Sequence, residues 1–198
     1  KKCESMYLTE VEDSWERNTV LTPISQEKFL TALIQKTKRC TSLYLQRKYA
    51  FLTIRYAYYI GKYDQLHTTF QSHFLNTKKD YLYYWSLYFD CFTRSDYAKD
   101  IAEILANCPE KRYPAYFYFH DEFQVKKGLQ QAKSSSEIAN VYAYASMQKL
   151  DYNGEYLRKI YANAPHAEVL SFLLVREINK LEDWIYTPYY SNYLPSVV

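Results

Sequence analysis

Histidine, cysteine and paired carboxylates are the residues of this chain with chemistry to offer, and their spacing limits it. His67 and His73 stand six apart. On one helix they point roughly 120° apart, so they cannot easily share a metal ion. No H-E-x-x-H or E-x-x-H pair occurs, which argues against a zincin or a di-iron bundle. His120, Asp121 and Glu122 place an imidazole beside two carboxylates. Consecutive helical residues diverge, so the acids fit N-terminal capping better than catalysis. Cys3, Cys40, Cys91 and Cys108 lie far apart and none forms a C-x-x-C pair. Cys91, inside YLYYWSLYFDCF, reads as a small buried hydrophobe. No G-x-G-x-x-G, P-loop or G-x-S-x-G is present. The expectation is therefore no catalytic residue, no metal and no cofactor.

Two other sets invite a binding role. Glu177, Asn179, Lys180, Glu182, Asp183 and Trp184 form a dense polar group with an aromatic anchor. Glu177 and Lys180, and separately Asn179 and Asp183, are spaced to touch on a helix. They read as an inter-repeat polar face or as a partner face centred on Trp184. The second set is basic. Between Ser25 and Lys62 lie eight cations (Lys28, Lys36, Lys38, Arg39, Arg47, Lys48, Arg55, Lys62) against Glu27 alone. They read as a solvated helix face or as a docking patch for an acidic partner. The net charge of +3 over 198 residues argues against a dedicated nucleic-acid binder.

Helices must position these groups. Tyrosine is abundant, at 24 residues, while glycine numbers three and proline six. That scarcity of turn formers favours helices over a sheet. No window approaches the roughly 18 apolar residues of a membrane helix. Residues 1–24 read as a lead-in, and Ser25 as the N-cap of a helix carrying Phe29, Leu30, Leu33 and Ile34. Helices follow over about 41–60, from Tyr63 to Phe74, over 80–92, and from Tyr97 towards Pro109. Further helices are expected over 113–119, 121–132, 137–150, from Tyr156 to Pro165, and over 166–186. Ser135 or Ser136 is the expected cap of the 137–150 helix. Residues 187–198 read as a non-helical tail. Gly61 reads as the turn of a helical hairpin. ILANCP (Ile104–Pro109) and IYANAP (Ile160–Pro165) share I-x-A-N-x-P, a pattern that stops one helix and starts another.

The hairpin residues Ile54, Ala57, Tyr58, Gly61, Tyr63, Leu66 and Phe70 resemble a tetratricopeptide repeat, and Ser95 recurs 34 positions after Gly61. Leu66 departs from the family's usual alanine, implying shifted packing between hairpins. The resemblance is to degenerate repeats over about 41–107, weakening to 186. LLVREINKLEDWIYTP (Leu173–Pro188) is similar to a stretch of uncharacterised, large helical-repeat proteins of Bacteroidota. That similarity implies an exported or cell-envelope protein and a section of a longer solenoid. The implied fold is all-α, a right-handed α-solenoid of antiparallel helix pairs over 25–186.

The expected function is a non-catalytic scaffold binding a protein or peptide on a concave face. Arg47, Arg55, Tyr59, Glu177, Lys180 and Trp184 are the candidate contacts. The alternatives are an RNA-binding helical repeat and a helical-hairpin enzyme acting on glycans. Most tyrosines at helical spacing, such as Tyr56, Tyr63, Tyr84 and Tyr88, are expected between helices.

Overall fold

A glycine held at φ +70°, Gly61, turns the chain between two helices. The computed structural model describes residues 23–119 and 124–190. These form ten α-helices and one 3-10 turn, with no strand among the described residues, so the protein is all-α. The helices are α1 (Pro23–Arg39), α2 (Leu43–Tyr59), α3 (Tyr63–His73), α4 (Tyr81–Cys91), α5 (Ala98–Asn107), α6 (Arg112–Phe119), α7 (Val125–Gln131), α8 (Ser135–Gln148), α9 (Gly154–Asn163) and α10 (Val169–Tyr190). The 3-10 turn is Pro109–Lys111. The chain divides into two compact units, one ending at Ser95 and one starting at Asp96. The boundary falls at Ser95, expected as the turn inside the second helical hairpin, so α4 and α5 belong to different units.

In unit 1, α2 packs against α1, α3 and α4. Ala50, Ile54 and Ala57 of α2 are fully buried and meet a core containing Leu66, Phe70 and Phe74. The α2–α3 turn explains the aromatic run that stops at Gly61. The Gly61 N–H bonds the Tyr58 carbonyl at 3.1 Å, and the Lys62 N–H bonds the Ala57 carbonyl at 2.8 Å. That is the Schellman arrangement, which requires a left-handed residue at Gly61. Helix α4 is apolar nearly all round and buries nine of its eleven residues, packed against α2 and α3.

Charged side chains tie the helices of unit 1 together. Arg47 on α2 grips Asp80 through two bonds of 2.6 and 2.8 Å. Asp80 also caps α4 by accepting from the Tyr83 N–H at 3.1 Å. Burial raises the Asp80 pKa, but Arg47 and the backbone N–H groups more than offset this and hold it below the usual value. Asp90, on α4, is buried and takes His67 Nδ1 at 2.7 Å and Arg94 Nε at 2.8 Å. This accounts for His67 as an inter-helix link.

In unit 2, α8 lies against α5, α7, α9 and α10. Ser134 and Glu137 form a reciprocal capping box at its start. The cap is thus Ser134, ahead of both expected positions, Ser135 and Ser136. The reason is that Glu137 must stand three residues on to reach back. Gly128, on α7, permits close approach: a Cβ there would meet Val141 at 3.2 Å and Ala98 at 3.4 Å. The Tyr144 hydroxyl, fully buried, donates to the Ala115 carbonyl at 2.9 Å and joins α8 to α6.

Several expected boundaries move. Pro23 already belongs to α1, so Ser25 lies inside the helix rather than capping it. A proline fits the first helical turn because its missing N–H has no partner to lose there. Helix α10 starts later than expected and runs through Pro188 to Tyr190, into the segment expected to be a non-helical tail. It forgoes the bond that a residue-188 N–H would make to the Trp184 carbonyl. Tyr56, Tyr84 and Tyr88 are buried as expected, whereas Tyr63, the first residue of α3, is half exposed. Cys91 is fully buried. The lead-in 1–22, His120–Asp121–Glu122 and the segment beyond 190 lie outside the described residues.

Gly61→Ala should lower stability by about 1–2 kcal/mol through left-handed strain alone, because nothing lies within 4 Å of the added methyl. Gly128→Val should cost about 1–3 kcal/mol by overpacking. Urea midpoints followed by circular dichroism check both. An unchanged midpoint for Gly61→Ala would show that the turn is not the constraint.

Candidate functional site

Two copies of one sequence pattern build the rims of a groove in unit 2. In each I-x-A-N-x-P segment the isoleucine, Ile104 or Ile160, is fully buried. The residue before the proline, Cys108 or Ala164, donates its N–H back to that isoleucine's carbonyl, at 2.9 and 2.8 Å. The asparagine, Asn107 or Asn163, bonds the carbonyl four residues earlier, at 2.9 Å in both. The segments thus end α5 and α9 in the same way. Cys108 is itself buried, and that burial, with the nearby Glu110 carboxylate, pushes its thiol pKa up.

Helix α8 forms the floor. Lys99 Nζ reaches Glu137 Oε1 at 3.4 Å, so α5 and α8 start side by side. Ser136, Asn140, Ala143 and Met147 then recur along α8 on successive turns facing the groove. Leu105, Ala106 and Asn107 form one rim, and Ala164 to Val169 with Phe172 form the other. The groove encloses about 840 Å³. Its lining is mostly small and apolar, which lets an occupant's backbone come close. Arg112 supplies a cation at one rim. Its guanidinium donates to the carbonyls of Leu105 (2.9 Å) and Ala106 (3.3 Å), capping the end of α5. Asn140 is half buried on the floor, and its side-chain amide makes no hydrogen bond among the described residues.

The six candidate contacts fall in three places. Arg47 is committed to Asp80, as described above, and also to the Lys78 carbonyl at 3.2 Å. Arg55 lies over the Tyr59 ring at 5.9 Å on the surface of unit 1, and Tyr59 is 42% exposed. Glu177 and Lys180 pair at 2.7 Å, as their spacing predicts. Both are turned inward, however. Glu177 accepts from the Asn153 N–H at 2.9 Å and from its side-chain amide at 3.3 Å. Asn153, Arg176 and Lys180 together take the carbonyls of Ser146, Lys149 and Asp151. These are the orphan carbonyls at and beyond the end of α8. A carboxylate and an ammonium spent on that cap have little capacity left for a partner. Trp184 sits half buried on α10, two turns beyond Glu177.

The groove itself was not anticipated. Its rims were visible as the I-x-A-N-x-P echo, but a helix-stop pattern does not say what it faces. Its floor carries little signal, because serine, asparagine and alanine make no hydrophobic stripe. Among the described residues, no group of three or more His, Cys, Asp or Glu could hold a metal. No helix there is long and apolar enough to cross a membrane. No protein-family model, curated protein or solved structure matches the chain.

The Glu177 pKa is pushed up by burial, but Lys180 and Asn153 outweigh that and hold it below the ordinary value. A lowered carboxylate stabilises the fold above its unfolded-state pKa of about 4.3, and the gain is lost as pH falls through the folded value. Glu177→Gln should cost about 1–3 kcal/mol at neutral pH and flatten the acid limb of the stability curve. Urea titrations between neutral and acid pH measure both effects. Equal losses at every pH would show that charge plays no part.

Proposed function

We propose that the chain is a non-catalytic binding scaffold whose unit 2 groove receives a protein segment or peptide. The observation that carries this reading is Asn140. Its side-chain amide stands half buried beside Ser136, Ala143 and Met147, with no hydrogen bond among the described residues. An amide can donate to and accept from a peptide backbone at once, whatever the side chains of that peptide. Small neighbours let that backbone approach, and Leu105, Val169 and Phe172 on the rims would bury its side chains. Arg112 would favour a carboxylate at one side.

The tetratricopeptide-like reading belongs here too. The α2–α3 hairpin has the expected turn, and α8 and α9 form an antiparallel pair across a short connection. A right-handed solenoid built from such pairs would present its first helices on the inner face, and α8, the first helix of its pair, would hold that position. On α10, Leu174, Ile178, Leu181 and Ile185 are exposed at spacings of four, three and four. That spacing suits packing by a further helix.

The test is crosslinked affinity capture with mass spectrometry, with and without nuclease, using the natural chain and Asn140→Trp. Tryptophan would fill the floor without touching the capping network. A protein captured by the natural chain, retained after nuclease and lost on Asn140→Trp, is the expected result. Capture that is nuclease-sensitive, or indifferent to the substitution, would overturn the groove reading.

A further inference from the structure

One end of unit 1 combines protruding apolar side chains with cations that have no ion pair among the described residues. Arg47 fixes which parts meet there. It stands one turn into α2 and bonds Asp80 and the Lys78 carbonyl. The α1–α2 turn and the α3–α4 turn therefore open onto the same end. Leu43, Tyr44 and Leu45 occupy the first turn of α2 and are 69, 62 and 46% exposed. Consecutive helical positions sweep about 200°. Three of them exposed together form a projecting tip, not one side of a groove. Leu75 and Tyr81, from the second turn and the start of α4, are also about half exposed.

Cations surround this tip. Lys36, Lys38 and Arg39 occupy the last turn of α1. Lys48 lies over the Tyr44 ring at 4.3 Å. Lys78 sits in the second turn, exposed. None of these five has an ion pair among the described residues. Asp80, the carboxylate of this end, is already held by Arg47. The other acids described in unit 1 lie elsewhere: Glu27 pairs with Lys62 beyond Gly61, Asp64 opens α3 at that far end, and Asp90 is buried with His67 and Arg94.

Phosphates alone would account for the cations but not for two exposed leucines beside an exposed tyrosine. A nucleic acid offers bases to stack on and no apolar phase to enter. A lipid interface offers both components, in layers. We propose that this end of unit 1 docks on an anionic lipid surface. Leu43, Tyr44 and Leu45 enter the boundary between headgroups and acyl chains, and the five cations meet lipid phosphates. The proposal is independent of the groove in unit 2.

The experiment is sedimentation of the full chain with phosphatidylcholine vesicles, with and without phosphatidylserine. Binding to the anionic vesicles only is expected, weakening as salt is raised. Each cation removed should lower partitioning roughly fivefold. The triple variant Lys36→Ser, Lys38→Ser, Arg39→Ser should therefore lose on the order of a hundredfold. The double variant Leu43→Ser, Leu45→Ser should lose roughly tenfold or more at unchanged charge. Tyr63→Ser, at the opposite end, should bind as the natural chain does. Far-UV circular dichroism confirms that each variant is folded. Equal binding to both vesicle types, no binding, or full binding by the leucine variant would each overturn the proposal. So would retention of RNA or polyglutamate by a chain that ignores vesicles.

Discussion

The end of α8 is the constraint on which unit 2 rests. A helix that finishes inside a protein leaves carbonyl oxygens without partners, and leaving them buried costs more than any one packing contact returns. Here the remedy comes from far along the chain. Asn153 bends back from the following turn, and Arg176 and Lys180 reach in from α10, while Glu177 accepts from Asn153 and Lys180 and holds both in place. These bonds fix the height of α10 against α8. That height places the residues before α10 as the rim of the groove. The capping network and the groove are thus opposite ends of one mechanical arrangement.

Unit 1 solves the equivalent problem with charge. Arg47 satisfies an N-capping aspartate from a neighbouring helix, so one contact both starts α4 and positions it against α2. Asp90 does similar service further along α4. A buried carboxylate is tolerable because two cationic or hydrogen-bonding groups converge on it. The outcome is an unequal distribution of charge. Carboxylates that find partners are drawn inward or to one end, while lysines at the other end remain solvated.

The sequence was most informative where a residue has one conformational job. Gly61 announced a left-handed turn, and the structure places it at φ +70°. The I-x-A-N-x-P echo announced two helix ends, and both share the same hydrogen bonds. It was least informative where burial depends on partners remote in the chain. Glu177 and Lys180 look identical on paper whether they face water or a helix end. Only the position of the α8 carbonyls decides between these, and no local pattern encodes it. The groove floor was silent for a related reason: Ser136, Asn140 and Ala143 are defined by what does not cover them.

The polar bridges that tie each unit together share one further property. Arg47 to Asp80 spans 33 residues, Lys99 to Glu137 spans 38, and Asn153 to Glu177 spans 24. Each closes over two or three helices. Loops of that size form quickly, and their closure entropy grows only slowly with length. A chain joined in this way has no need to wait for its far end. As it leaves the ribosome, each helix can be secured by the next few dozen residues, and assembly can keep pace with synthesis.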